Sequence, residues 1–114
     1  MPDVSFAQRL QRVRSRVREA ADRAGRDPGE VEILPVTKGH PPSTIRAVAD
    51  ADLAAVAENR VGEAEEKLAE NGRLGLSWHM VGHLQRNKAS RAVEAFDVIE
   101  SVDSRLLARK LARE

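Results

Sequence analysis

The sequence predicts an α/β chain: a leading helix plus four βα units with parallel strands, half of a (β/α)8 TIM-type barrel. Three observations predict it. Short apolar runs alternate with helix-period stretches of about ten residues, the pattern of βαβ units. The first segment carries its apolar residues at steps of three and four. Gly, Pro, Asn or Asp stands at most of the joins between segments. The 114 residues are 41% hydrophobic and 32% charged, a globular balance, and with only 3% aromatics the core falls to Ala, Val, Leu and Ile.

The leading helix is expected from Ser5 to Ala24, with Phe6, Leu10, Val13, Val17, Ala20, Ala21 and Ala24 as one stripe and arginines around the rest. Asp3 or Ser5 can cap its start, and Gly25 with Asp27-Pro28-Gly29 ends it. The run 31–37 is the first expected strand, although Pro35 cannot donate to a ladder and would suit a position whose neighbour is absent or irregular. A helix opens at Pro41-Pro42-Ser43, with Ser43 as its cap. The second strand is expected at 53–57 and its helix at 60–70. The third strand is expected at 77–81, with a helix over 85–95. The fourth is expected at 97–101, with a helix over 104–113. The domain reading is a partial barrel over 1–114: leading helix and turn over 1–29, four βα units over 30–114. Four units cannot close a barrel, which takes eight and roughly 250 residues. They leave open sheet edges that invite self-association or mark a piece of a longer parent.

Several function classes are excluded by composition. A net charge of +1 from 19 basic and 18 acidic residues gives no electrostatic case for nucleic acid or an acidic membrane surface. The chain has no cysteine, which removes disulfides, thiolate metal sites and cysteine nucleophiles. The polar start, with Asp3 and no apolar signal core, and the lack of any apolar run near the roughly 20 residues of a membrane span predict a cytoplasmic protein.

Ligands of parallel α/β folds sit beyond the carboxyl ends of the strands. Lys38, Glu58-Asn59, Gly82-His83 and Ser101 to Asp103 all fall there. Lys38 closes an apolar run, where partial desolvation would favour the neutral amine that condenses with an aldehyde; the plain alternative is a strand-end lysine reaching solvent. Asn59 could orient a ring hydroxyl, or simply cap the next helix. Gly82 permits close backbone approach. His79 and His83 alternate onto one strand face, but no third ligand stands near and no metal is expected. No glycine-rich phosphate fingerprint follows a strand.

Taken together, Val36-Thr37-Lys38, Glu58-Asn59-Arg60-Val61, the stretch Trp78-His79-Met80-Val81-Gly82-His83-Leu84-Gln85-Arg86-Asn87-Lys88, and Ser101-Val102-Asp103-Ser104 resemble the pyridoxal phosphate homeostasis proteins (YggS/PROSC type). That family's fold is similar to the N-terminal barrel of alanine racemase. The resemblance runs from the first helix to the last residue and covers only the N-terminal half of the family's length. It implies pyridoxal 5'-phosphate (PLP) as cofactor, held as a Schiff base on Lys38, with Asn59 bordering it and the segment 82–88, Gly82 and His83 first, lining the mouth. It also implies intracellular PLP homeostasis, a carrier without established catalysis, and transient contact with PLP-requiring enzymes. The family holds the phosphate, and faces the pyridine nitrogen with an Arg, from its C-terminal half, so the chain alone is expected to bind weakly. Ala57 stands where the family usually has Gly. The alternatives are a racemase-like amino-acid enzyme, which would need an acid/base partner in a chain without Tyr or Cys and with His83 as the substitute, or a non-binding structural remnant.

Overall fold

Helix α1 spans Phe6–Ala24 in the computed structural model, which describes residues 5–114. Its start is a reciprocal capping box: Ser5 Oγ accepts from the Gln8 N–H at 3.2 Å, and Gln8 Oε1 accepts from the Ser5 N–H at 3.1 Å. Its end is Gly25 in the left-handed region, followed by the Arg26 N–H bonded back to the Ala21 carbonyl at 2.8 Å. Asp27 then accepts from the Gly29 N–H at 2.9 Å and opens a 3-10 turn over Pro28–Glu30. These elements belong to one compact unit that runs to Ile33. Asp3, the other expected cap, lies outside the described residues.

Leu34–Glu114 form a second unit around a parallel sheet. Its strands are β1 (Ala55–Glu58), β2 (Ser77–Met80) and β3 (Val98–Ile99), in the order β1-β2-β3. Ala55 pairs with Ser77 and Glu58 with Met80, while His79 pairs with Val98. The helices are α2 (Ser43–Asp50), α3 (Val61–Asn71), α4 (Ala89–Ala95) and α5 (Arg105–Arg113). Each strand is followed by a helix, the βα alternation the sequence predicts. Ile45 and Val48 of α2, all of β1, Ala64 of α3, Trp78 and Met80 of β2, Ala89 and Ala92 of α4 and Leu107 of α5 are buried. Trp78 is wholly enclosed, and its Nε1–H donates to the Arg73 carbonyl at 3.2 Å.

The expected first strand is not one. Among the described residues it contributes a single parallel bridge, Val36 to Ala57. Ala57 N–H donates to the Pro35 carbonyl at 2.8 Å and Thr37 N–H to the Ala57 carbonyl at 3.1 Å. The next rung toward the N-terminus would run from residue 35 N–H to the Ala55 carbonyl, and proline has no N–H to give. On the other side the Thr37 carbonyl is taken by the His40 N–H, at 3.0 Å, and by Lys67. So the four expected βα units are three strands and a bridge, an open sheet resembling part of a TIM barrel. Two further expectations shift. Ser43 lies inside α2, Pro42 holds the cap position and no side chain caps it. The helix expected over 85–95 divides into a 3-10 turn at Arg86–Lys88 and α4. Among the described residues, no helix is long and apolar enough to cross a membrane.

Candidate functional site

Lys38 occupies the turn Thr37–His40, closed by the His40 N–H to Thr37 carbonyl bond. Gly39 has φ +74°, the positive value a type II turn requires at its third position. Lys38 is exposed, so the partial desolvation expected from the apolar run before it is not found: the chain turns outward before the amine is enclosed. Lys38, Gly39, Asn59, Arg60 and Glu63 surround an open cavity of about 410 Å³. Asn59 and Arg60 also wall a second cavity of about 230 Å³, together with His83 and Lys88 among others. The turn after the Val36 bridge and the carboxyl ends of β1 and β2 thus bring Lys38, Asn59 and His83 around adjoining space.

Each of the remaining candidates has a definite place. Asn59 is half-buried and does not cap α3, since Arg60 holds the N-cap position with no side-chain cap bond. Gly82 lies against Asn59: a Cβ at Gly82 would come within 2.8 Å of Asn59 Cα and 2.9 Å of its carbonyl carbon. The close approach read from the sequence is therefore an approach of backbone to backbone, which fixes where Asn59 stands. The Gly82 carbonyl accepts from Ser101 Oγ at 2.5 Å, tying the end of β2 to the segment after β3. His83 Nδ1 lies 3.2 Å from Asp103 Oδ2, with both side chains exposed. His79 is engaged separately, by Glu100 at 2.6 Å and Ser77 at 3.2 Å. The two histidines thus face different carboxylates.

Behind the turn lies a buried polar cluster. Thr37, Glu58 and Lys67 are 2%, 0% and 2% exposed. Lys67 Nζ donates to the Thr37 carbonyl at 2.7 Å, to Glu58 Oε2 at 2.9 Å and to Glu63 Oε2 at 3.4 Å. Thr37 Oγ1 donates to Glu58 Oε2, and the Gly39 N–H donates to Glu63 Oε2 at 3.1 Å. Burial pushes the Glu58 carboxyl above its ordinary value, against the opposing bonds from Lys67 and Thr37. Glu63 is held below its ordinary value, first by its neighbour Glu58 and then by the Gly39 N–H and Lys67.

Known proteins have related sequences and folds. The chain is 38% identical over 110 residues to the pyridoxal phosphate homeostasis protein of Pseudomonas aeruginosa, covering 96% of this chain and 48% of that one. The Escherichia coli K12 protein of that name is 38% identical over 109 residues, covering 93% and 47%. In three dimensions the chain superposes on PipY of Synechococcus elongatus, determined with PLP bound, with a TM-score of 0.72 and 44% identity over 85% of this chain and 46% of PipY. The chain is similar, over nearly its whole length, to the N-terminal half of the pyridoxal phosphate homeostasis proteins. It spans about half the length of the curated relatives it matches, corresponding to their N-terminal half. An unknown protein from Bifidobacterium adolescentis also superposes, with a TM-score of 0.82 and 30% identity over 99% of this chain and 53% of that one. No family model matches the chain.

Ala57, the departure from the family's usual glycine, is buried in β1 and takes part in both bonds to the Pro35–Thr37 segment. Its methyl is accommodated without loss of the bridge. Four residues at or behind this cavity were not among the site residues expected from the sequence: Thr37 and Arg60, which appear there only within motifs, and Glu63 and Lys67. Arg60 gives no local signal. Lys67 gives one, because it falls three residues after Ala64 and six after Val61, on the stripe α3 buries.

Proposed function

We propose that this chain is the lysine-bearing half of a PLP-binding protein of intracellular PLP homeostasis, holding the cofactor as a Schiff base on Lys38. The donor set fits the aldehyde end of such a ligand. Lys38 offers a primary amine at the cavity rim, Asn59 an amide able to donate to or accept from a ring hydroxyl, and Arg60 a guanidinium to balance anionic charge. The volume of about 410 Å³ lies within the range of small-ligand sites. When bound, the cofactor supplies an electrophilic aldehyde and an electron-accepting ring. Gly82 serves indirectly, by letting the Asn59 backbone sit where a side chain would collide. His83, paired with Asp103, borders the adjoining space.

The observation that carries the reading is the pinned turn that presents Lys38 to a cavity shared with Asn59, in a chain 44% identical to a protein determined with PLP bound. A carrier is favoured over a racemase-like enzyme. The carboxyl at the cavity, Glu63, is held below its ordinary value by Glu58, Gly39 and Lys67, away from the near-neutral value a general acid or base needs. An absorbance titration tests this. Adding PLP should raise a visible Schiff-base band that Lys38→Ala abolishes, and the isolated 114-residue chain should need excess cofactor to show it. A band that survives Lys38→Ala would refute the assignment; a full band at one equivalent would refute the expected weakness.

A further inference from the structure

The Glu58–Lys67 pair is a buried ion pair, and such a pair is a poor source of net stability: apolar residues of similar volume commonly serve as well or better. Its hydrogen bonds are the informative feature. Lys67 reaches the Thr37 carbonyl, and Glu63, held by Lys67, takes the Gly39 N–H. Those are the two residues on either side of Lys38. The cluster also holds one buried atom, Glu58 Oε1, with no hydrogen-bond partner among the described residues. A polar cluster with an unsatisfied atom is costly to keep where packing alone would do.

We propose that Lys67, Glu58 and Glu63 are positioning residues that lock the Thr37–His40 turn, so that Lys38 meets its aldehyde ligand in one preset orientation. This rests on Lys38 being the ligand-binding amine. Lys67 itself is enclosed and does not line the Lys38 cavity, so it acts only through the turn. With the turn loose, Lys38 would have to be ordered at each capture, at a cost in affinity. The raised Glu58 and lowered Glu63 carboxyls are consistent with one shared proton-and-charge network rather than two independent pairs.

Lys67→Met alone leaves Glu58 without its cation and can simply weaken the fold. The test therefore pairs it with the double variant Glu58→Gln/Lys67→Met, which removes both charges. Three quantities are read in the 114-residue chain: urea midpoint, amide exchange at Gly39 and His40 relative to β2, and the rate of borohydride trapping of PLP on Lys38. The double variant should recover most of the midpoint lost in Lys67→Met. Its Gly39 and His40 amides should still exchange about tenfold faster than in the parent, and its trapping rate should stay about tenfold lower. Recovery of trapping together with the midpoint would reduce the cluster to a structural role and overturn the proposal. Unchanged exchange at Gly39 and His40 would overturn it as well. If the parent chain traps no PLP on Lys38, the PLP reading fails, and the exchange measurement still decides whether Lys67 locks the turn.

Discussion

Glu58 and Glu63 sit in one cluster, and their carboxyls are displaced in opposite directions. Glu58 is raised by burial, so the folded state holds its proton more tightly than the unfolded chain does. Its stabilising contribution is complete below the ordinary value of 4.5 and is lost as pH rises through the raised value. Glu63 and Glu65 are lowered, by the Glu58 contact and by hydrogen bonding to Arg91 respectively. Their contributions are complete above 4.5 and are lost as pH falls through the lowered values. Glu65 and Arg91 are exposed, so that pair adds little. Glu58→Gln should therefore flatten the decline in urea midpoint above pH 4.5. An unchanged alkaline-side slope would show that Glu58 does not titrate in that window.

At the level of elements, the close approach of the β2 exit to the β1 exit is what keeps Asn59 at the cavity. Gly82→Ala would place a methyl against the Asn59 backbone, and this overpacking should cost about 1–3 kcal/mol in chemical denaturation, with lower PLP affinity. A variant as stable as the parent would mean the two loops can part without penalty. The helices were largely legible in the sequence because the apolar period and the end signals agree: the Ser5 cap and the Gly25 stop stand where residue types place them, and the helix expected from Ser104 starts there, with Ser104 Oγ accepting from the Leu107 N–H at 3.1 Å. The first strand was not legible as it stands. Its apolar, β-branched composition argues for pairing, but Pro35 and the turn after Thr37 stop the ladder at one bridge. Lys67 was hidden for another reason. Lysine on a helix four residues after Glu63 reads as a surface pair, which masks its place on the stripe of Val61 and Ala64, and the placement of Thr37 and Glu58 behind it gives the buried amine its partners.

For the molecule as a whole, the sheet order β1-β2-β3 leaves β3 with its outer side unpaired among the described residues, and Val98 is 38% exposed there. An open parallel sheet of this kind presents its strand ends, and hence its ligand side, from one direction only. This chain supplies the amine, the amide and one guanidinium around the cavity. The family and the partial barrel-like fold follow from motif order and spacing, which a sequence displays directly. The network that steadies the amine is tied to the turn by contacts such as Thr37–Glu58 and Lys67–Thr37, 21 and 30 positions apart, which it does not.

The central claim is that Lys38, and not some other amine, is the one this fold presents. The chain provides its own comparison: Lys88 and Lys110 are exposed as Lys38 is, and Lys67 is enclosed. Mixing the chain with PLP, reducing with borohydride and locating the pyridoxyl group by peptide mass spectrometry would compare all four in one sample. The expected result is modification concentrated on Lys38, little on Lys88 and Lys110, and none on Lys67. Modification spread evenly over the exposed lysines, or concentrated away from Lys38, would contradict the assignment.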